Sequence, residues 1–192
     1  MASSPHILFL FMGASNLARG YSLLTRHISS YFGKNKTEFL NALGPGRGFC
    51  ARGGMFNFTY PPIQDCRILE VAKKKSCDIR AVLITDIGND LMYGVLADTL
   101  IESLDGLIGR ALQWDAEIFL TSIHVNLKKD VSPTMFFILK SFFYPGSSIT
   151  YEEADLFIIK VNGYLEEKAR QNERVYLISG MKSFAGMDKI HY

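Results

Sequence analysis

The sequence predicts an α/β fold in which one parallel sheet of about five strands is covered by helices on both faces. Three observations predict it. Short apolar runs of strand length recur at residues 6–12, 38–43, 80–87, 117–123 and 174–179. Several are continuous rather than alternating, as in strands buried on both faces. The segments between them carry apolar residues at helical spacing. Strands alternating with helices give three layers, α/β/α, and right-handed crossovers leave few topologies.

The first run stops abruptly at Gly13 and is followed by Ser15, so it reads as a buried strand that delivers a serine to a strand-to-helix turn. Residues 16–31 place Leu17, Tyr21, Leu24 and Ile28 at steps of three and four, the spacing of one helix face. Residues 44–62 are rich in glycine and proline and form a long loop. A shorter helix is expected over 63–75, its Lys73-Lys74-Lys75 run being the solvated end. Residues 95–114 put Ile101, Leu104, Ile108 and Leu112 on one side of a helix. Residues 126–150 resist the pattern and contain a very apolar piece, 135–144, far short of the ~20 residues of a membrane span. The last helix, 151–171, carries Phe157, Ile158, Val161 and Leu165, with Glu152 and Glu153 where the helix dipole favours acids. Five strands in this arrangement suggest the flavodoxin-like order 2-1-3-4-5, with a site at the carboxyl ends of the strands beside the switch point.

The chain of 192 residues fits a single domain spanning 1–192, and such a chain buries roughly 70% of its unfolded surface without staples. A formal net charge of +2 is too small to argue for nucleic acid. The three cysteines, Cys50, Cys66 and Cys77, match no zinc or redox spacing. Reduced thiols and a cytoplasmic location are expected. No Lys or Arg precedes the first apolar run, which speaks against a signal peptide.

If the sheet is parallel, four sets of polar residues gather at one edge. They are Gly13 to Asn16 after the first strand, Gly44 to Gly48 after the second, Asp86 to Asp90 after the third, and Asp188 with His191 after the fifth. A serine hydroxyl is a weak nucleophile until a base accepts its proton. His191 is suited to that task, and Asp188, three residues earlier, to orienting the imidazole. An oxyanion then needs donors, which the Ser15 N–H, a glycine N–H of the second loop and the Asn89 amide supply.

These residues resemble the four sequence blocks of the SGNH, or GDSL-like, hydrolases, over nearly the whole chain. The first block, Gly-Asp-Ser, is similar to Gly13-Ala14-Ser15, with alanine in place of the usual aspartate. The glycine of the second falls on Gly46, with Gly48 as the rival choice. The third, Gly-x-Asn-Asp, resembles Gly88-Asn89-Asp90 with the x deleted, and the last, Asp-x-x-His, is Asp188-Lys189-Ile190-His191. The resemblance implies a serine esterase or lipase with Ser15, Asp188 and His191 as catalytic residues and Ser15, Gly46 and Asn89 as the oxyanion hole. It implies a small-molecule ester or acylated carbohydrate as substrate, and no metal or other cofactor. In that family a helix usually follows the histidine. Here Tyr192 follows it and closes the sequence, so the terminal carboxylate is expected beside the imidazole, raising its pKa.

Simpler roles stand beside these. Ser15 fits a helix N-cap, Asn89 a turn, and Asp188 with His191 a polar tail. Arg47, Asp90 and His124 are candidate substrate contacts, and His124 is the rival base. Asp86 with Asp90 suggests a phosphoacceptor or metal pair, against which stands Gly-Ala-Ser, where a receiver domain carries acids. A Gly-x-Ser-x-Gly elbow is excluded because position 17 is leucine. The aromatic piece 135–144 reads as an acyl-pocket wall, a core helix, or a surface docking on membrane or protein. The competing function is a flavodoxin-like binding or scaffold protein with vestigial site residues. The sequence leaves oligomeric state open.

Overall fold

A computed structural model describes residues 5–54 and 58–178 of the chain. Among them five strands form one all-parallel sheet: β1 (Ile7–Met12), β2 (Thr37–Ala42), β3 (Ile79–Ile84), β4 (Glu117–Thr121) and β5 (Val175–Ile178). Their order is β2-β1-β3-β4-β5, as expected, so the chain reverses direction across the sheet at β1 and β3. The registers are in phase: Leu10 pairs with Leu40 and Val82, and Ile84 with Leu120.

The side-chain alternation of the strands makes two faces. Leu8, Leu10 and Met12 of β1, Val82 and Ile84 of β3, and Ile118 and Leu120 of β4 share one face and are buried. The main core gathers there, under α2 (Ile68–Lys73), α4 (Ala97–Leu112) and α7 (Tyr151–Gln171). These helices present Leu69, Leu104, Ile108, Val161 and Leu165 to it, residues spaced three and four apart along α4 and α7. The opposite face is aromatic. Phe9, Phe11 and Phe39 stack, and α1 (Ser15–Phe32) brings Tyr21 and Phe32 onto them. Helices thus lie on both faces, and the arrangement has three layers.

Differences from the expected boundaries occur at the ends of elements. β3 stops at Ile84 rather than Ile87, because Asp86 takes a positive φ of 56° that no strand accepts. The helix expected over 63–75 is a 3₁₀ turn, Ile63–Asp65, followed by α2. The irregular segment 126–150 holds two short helices after the one-turn α3 (Asn89–Met92): α5 (Leu127–Asp130) and α6 (Pro133–Phe143). α7 opens with a capping box in which Thr150 and Glu153 each hydrogen-bond the other's backbone N–H. No helix among the described residues is long and apolar enough to cross a membrane. Cys50, Cys66 and Cys77 are free thiols, and burial pushes Cys50 up to about 11, so it stays protonated.

Leu10 sits in the second strand of the sheet, fully buried between two neighbours. Leu10→Ala is expected to lower stability by about 2–5 kcal/mol, the cost of a core cavity that cannot collapse, measured by urea unfolding.

Candidate functional site

The carboxyl edge of the sheet is organised by two aspartates from the loop after β3. Asp86 turns its carboxylate onto the start of α1. Its Oδ2 accepts from the backbone N–H groups of Ala14 (3.0 Å), Asn16 (3.1 Å) and Leu17 (3.1 Å), and its Oδ1 accepts from Asn16 Nδ2 (3.0 Å). Helix α1 has no acid in its own first turn and no capping side chain of its own. A neighbouring strand supplies both, placing a negative charge at the positive end of the helix dipole. The positive φ of Asp86 is the backbone geometry that aims it there, and Asp is one of the few residue types that tolerates it.

Ser15 is the first residue of α1, not its cap, and is half-buried. The Ser15 N–H lies between those of Ala14 and Asn16 in the chain and is not among the donors to Asp86. The turn before it is tight. A Cβ on Gly13 would come within 2.9 Å of Thr85 Cγ2 and 3.1 Å of the Thr85 carbonyl oxygen, so no larger residue fits.

Asp90 does for the glycine loop what Asp86 does for α1. It is 0% exposed and accepts from the backbone N–H groups of Phe49 (2.5 Å), Cys50 (2.8 Å) and Ala51 (2.8 Å). Burial pushes its pKa up, while the three N–H donors pull it back. Gly48 is required for this approach, since a Cβ there would lie 2.8 Å from Asp90 Oδ1. Between the two aspartates, Asn89 opens α3 and donates from Nδ2 to the Arg47 carbonyl (3.1 Å). An amide carries two N–H groups, so this bond fixes the side chain and leaves one donor over.

Ser15 and Asn89 both border a cleft of about 160 Å³. Asn16, Asp86 and Gly88 line its polar end, and Leu91, Val125, Leu127, Phe136, Leu139, Phe143 and Ile158 its apolar remainder. A second cavity of about 190 Å³ adjoins it, sharing Asn16, Asp86, Gly88 and Ile123, and is bordered on its far side by Ser122 and His124. Ile123, on the shared wall, is held in both directions by Asn162 of α7, whose Oδ1 accepts from its N–H (2.8 Å) and whose Nδ2 donates to its carbonyl (2.9 Å).

The structure therefore brings Ser15 and Asn89 to one cleft, as the sequence suggested. Asp188 and His191, with Tyr192, lie outside the described residues. Gly46 and Gly48 belong to the loop that Asp90 and Asn89 tie down, but neither borders the cleft. Gly46 has a φ of +70°, and its carbonyl accepts from the Tyr93 hydroxyl (2.6 Å). His124 borders the adjoining cavity, its Nδ1 3.2 Å from Ser122 Oγ.

Arg47 and Asp90 have other uses than the substrate contacts expected of them. Arg47 is 7% exposed, and its guanidinium donates to the Pro61 carbonyl (3.1 Å), the Leu43 carbonyl (3.4 Å) and Cys66 Sγ (2.6 Å). Both are committed inside the loop because a buried charge or acceptor must find partners there. Asp86 and Asp90 likewise face backbone N–H groups rather than each other, and no group of metal-ligating side chains occurs among the described residues. Sequence reasoning missed Asp86 as the cap of α1 and the Tyr93–Tyr144 pair. The only signal for the first was a carboxylate just after a buried strand, two residues past Ile84, where the strand ends.

No protein-family model matches the chain, and no curated protein matches it. Solved structures do. The chain is similar to TesA, at a TM-score of 0.56 and 16% identity, covering 96% of this chain and 88% of TesA. It is similar to AlinE4, an SGNH-hydrolase family esterase, at 0.55 and 16%, covering 97% and 82%. The psychrotrophic esterase EstA from Pseudoalteromonas sp. matches at 0.55 and 11%, covering 96% and 86%. At such identities the likeness is one of fold.

Replacing Asp86 by Asn keeps the shape but turns one acceptor into a donor facing N–H groups. Asp86→Asn is expected to cost about 1–3 kcal/mol in urea unfolding. Hydrogen exchange should speed up at the Ala14 and Leu17 amides more than in the sheet.

Proposed function

We propose that this chain, which has an SGNH-like hydrolase fold, is a serine esterase acting on a small-molecule ester or an acylated carbohydrate. The observation that carries the reading is Ser15 at the first position of α1, on the wall of a cleft shared with Asn89, its turn locked by Asp86.

In the reaction, Ser15 Oγ bonds to the ester carbonyl carbon as its proton passes to His191. The carbonyl oxygen becomes an oxyanion, accepting from the Ser15 N–H and the spare N–H of Asn89; Gly46, the third donor expected from the sequence, does not border the cleft and takes no part in this step. The tetrahedral intermediate collapses with cleavage of the bond to the alcohol oxygen, which takes the proton back from His191. Water then attacks the acyl-enzyme, giving its proton to His191, and the carboxylic acid leaves as Ser15 recovers its hydrogen. Asp188 orients the imidazole and stabilises its charged form without taking the proton.

Several features support the assignment of donors. Asp86 takes the N–H groups on both sides of Ser15 in the chain but not that of Ser15. Asn89 has one N–H committed to Arg47, which stiffens the amide instead of consuming it. Donors fixed before the reaction cost nothing to reorganise when charge develops. The apolar lining of the cleft suits a hydrocarbon acyl group. The neighbour EstA is inhibited by monoethylphosphonate, a tetrahedral phosphorus compound that such a site in this chain is expected to bind at Ser15.

Ser15→Ala is expected to abolish hydrolysis of p-nitrophenyl acetate and labelling by a fluorophosphonate probe. Asn89→Ala is expected to lower kcat by about 10²–10³-fold with little change in KM, as for loss of one oxyanion donor. Unchanged turnover by Ser15→Ala would refute the nucleophile assignment.

A further inference from the structure

Helix α6 buries none of its residues, and its apolar chains divide between two sides. Phe137, Ile138 and Phe142 are exposed to solvent. Phe136, Leu139 and Phe143, at steps of three and four, line the cleft that Ser15 borders. The rest of the apolar lining includes Leu127 of α5, Val131 and Ile158 of α7, which belong to the main core. One side of the cleft is thus fixed by the core, and the other is a helix whose residues are not needed for it.

Two charged side chains also border the cleft, Asp86 and Lys140. Both heads have partners: the Asp86 carboxylate accepts from the N–H groups at the start of α1, and Lys140 Nζ donates to the Ile149 carbonyl (2.8 Å). A hydrocarbon beside them strands no charge without a partner. The second cavity is partly apolar too, but Ser15 does not border it. A chain held through its carbonyl carbon at Ser15 Oγ is therefore received by the cleft. Size then sets a limit. A cavity of about 150 Å³ lined by Leu, Ile and Phe takes one benzene ring. The cleft offers about 160 Å³ with lining of the same kind. Each methylene that enters strengthens binding about three- to fourfold, and methylenes that find no room add nothing.

We propose that the cleft receives a straight acyl chain of about six carbons, and that Leu139, between Phe136 and Phe143 on α6, sets where the chain ends. That this chain is the acyl half of an ester rests on the esterase reading above. Binding needs no turnover, so the two are tested apart.

First, kcat/KM is measured for p-nitrophenyl acetate, hexanoate and decanoate, which differ only in the acyl chain. The hexanoate is expected to exceed the acetate by at least about tenfold, and the decanoate to bring no further gain. Leu139→Trp, which fills the cleft, is expected to lower the hexanoate-to-acetate ratio by at least about tenfold. Leu139→Ala is expected to make the decanoate the best of the three. Ile138→Ala, on the solvent side of α6, is expected to leave the ratios as they are. Thermal melting checks that each variant is folded, and if Leu139→Trp melts early, Leu139→Ala carries the comparison. Second, hexanamide is titrated into the full chain and methyl resonances are followed by NMR. Shifts are expected at Val125, Leu127, Leu139 and Ile158, and not at Leu24, which lines the second cavity alone. Three results would overturn the proposal: equal kcat/KM for acetate and hexanoate, ratios that a folded Leu139 variant does not move, or hexanamide shifts that are absent or centred on Leu24. Hexanamide bound in the cleft of a chain that hydrolyses none of the esters would overturn the esterase reading and leave this pocket standing.

Discussion

The carboxylate of Asp86 on the first turn of α1 is the contact on which the rest of the site depends. Three backbone N–H groups at the start of a helix have no partner within the helix. Buried near the end of β1, they would cost free energy for each donor left open. One carboxylate from β3's loop answers all three and opposes the helix dipole as well. Because β1 and β3 are neighbours in register, Met12 against Ile84, the carboxylate needs to reach only across one strand spacing. The place of Ser15 follows: the residue after a turn held this tightly has little freedom of position.

The same logic is repeated four residues later, and that repetition explains the geometry of the cleft. Asp90 collects the N–H groups of Phe49, Cys50 and Ala51, so the long loop after β2 is anchored to the loop after β3 rather than to its own strand. Asn89, between the two acids, is tied to the loop at Arg47. One short stretch, Asp86 to Asp90, therefore fixes the serine turn on one side and the glycine loop on the other. Arg47, folded inward onto Cys66 and two carbonyls, completes the anchoring from within. Charged residues that look available for a ligand in the sequence are spent on backbone groups that glycine-rich loops cannot satisfy among themselves.

This bears on what a single sequence reveals. The sheet was legible because β1 is buried almost throughout and so lacks alternation, a pattern read directly from Ile7–Met12. Ser15 and Asn89 were legible because a parallel sheet sends every strand's carboxyl end to one edge. Asp86, Asp90 and Arg47 were not, since their partners are main-chain atoms from 39 to 72 residues away or, for Arg47, a loop closed on itself. No periodicity encodes a bond to a backbone N–H. The two-faced character of α6 was hidden for a related reason. An apolar segment shows no stripe when both sides are apolar, so the sequence could not separate the side that meets the cleft from the side that meets solvent.

The two walls of the cleft are held in different ways. The polar wall is built from strand ends and is held by hydrogen bonds that link β1, β2 and β3 into one unit. The apolar wall is α6, which buries none of its residues and joins the body through Phe136 against Tyr151, Lys140 against Ile149 and the Tyr93–Tyr144 contact. Stability is not uniform along a chain, and segments with few buried apolar contacts open at the least cost. In the proposed reaction, fixed donors are needed at the oxyanion, whereas admitting an acyl chain needs a wall that yields. Under that proposal the two requirements fall to different structures, and Tyr93 links them: its hydroxyl donates to the Gly46 carbonyl while its ring packs against Tyr144.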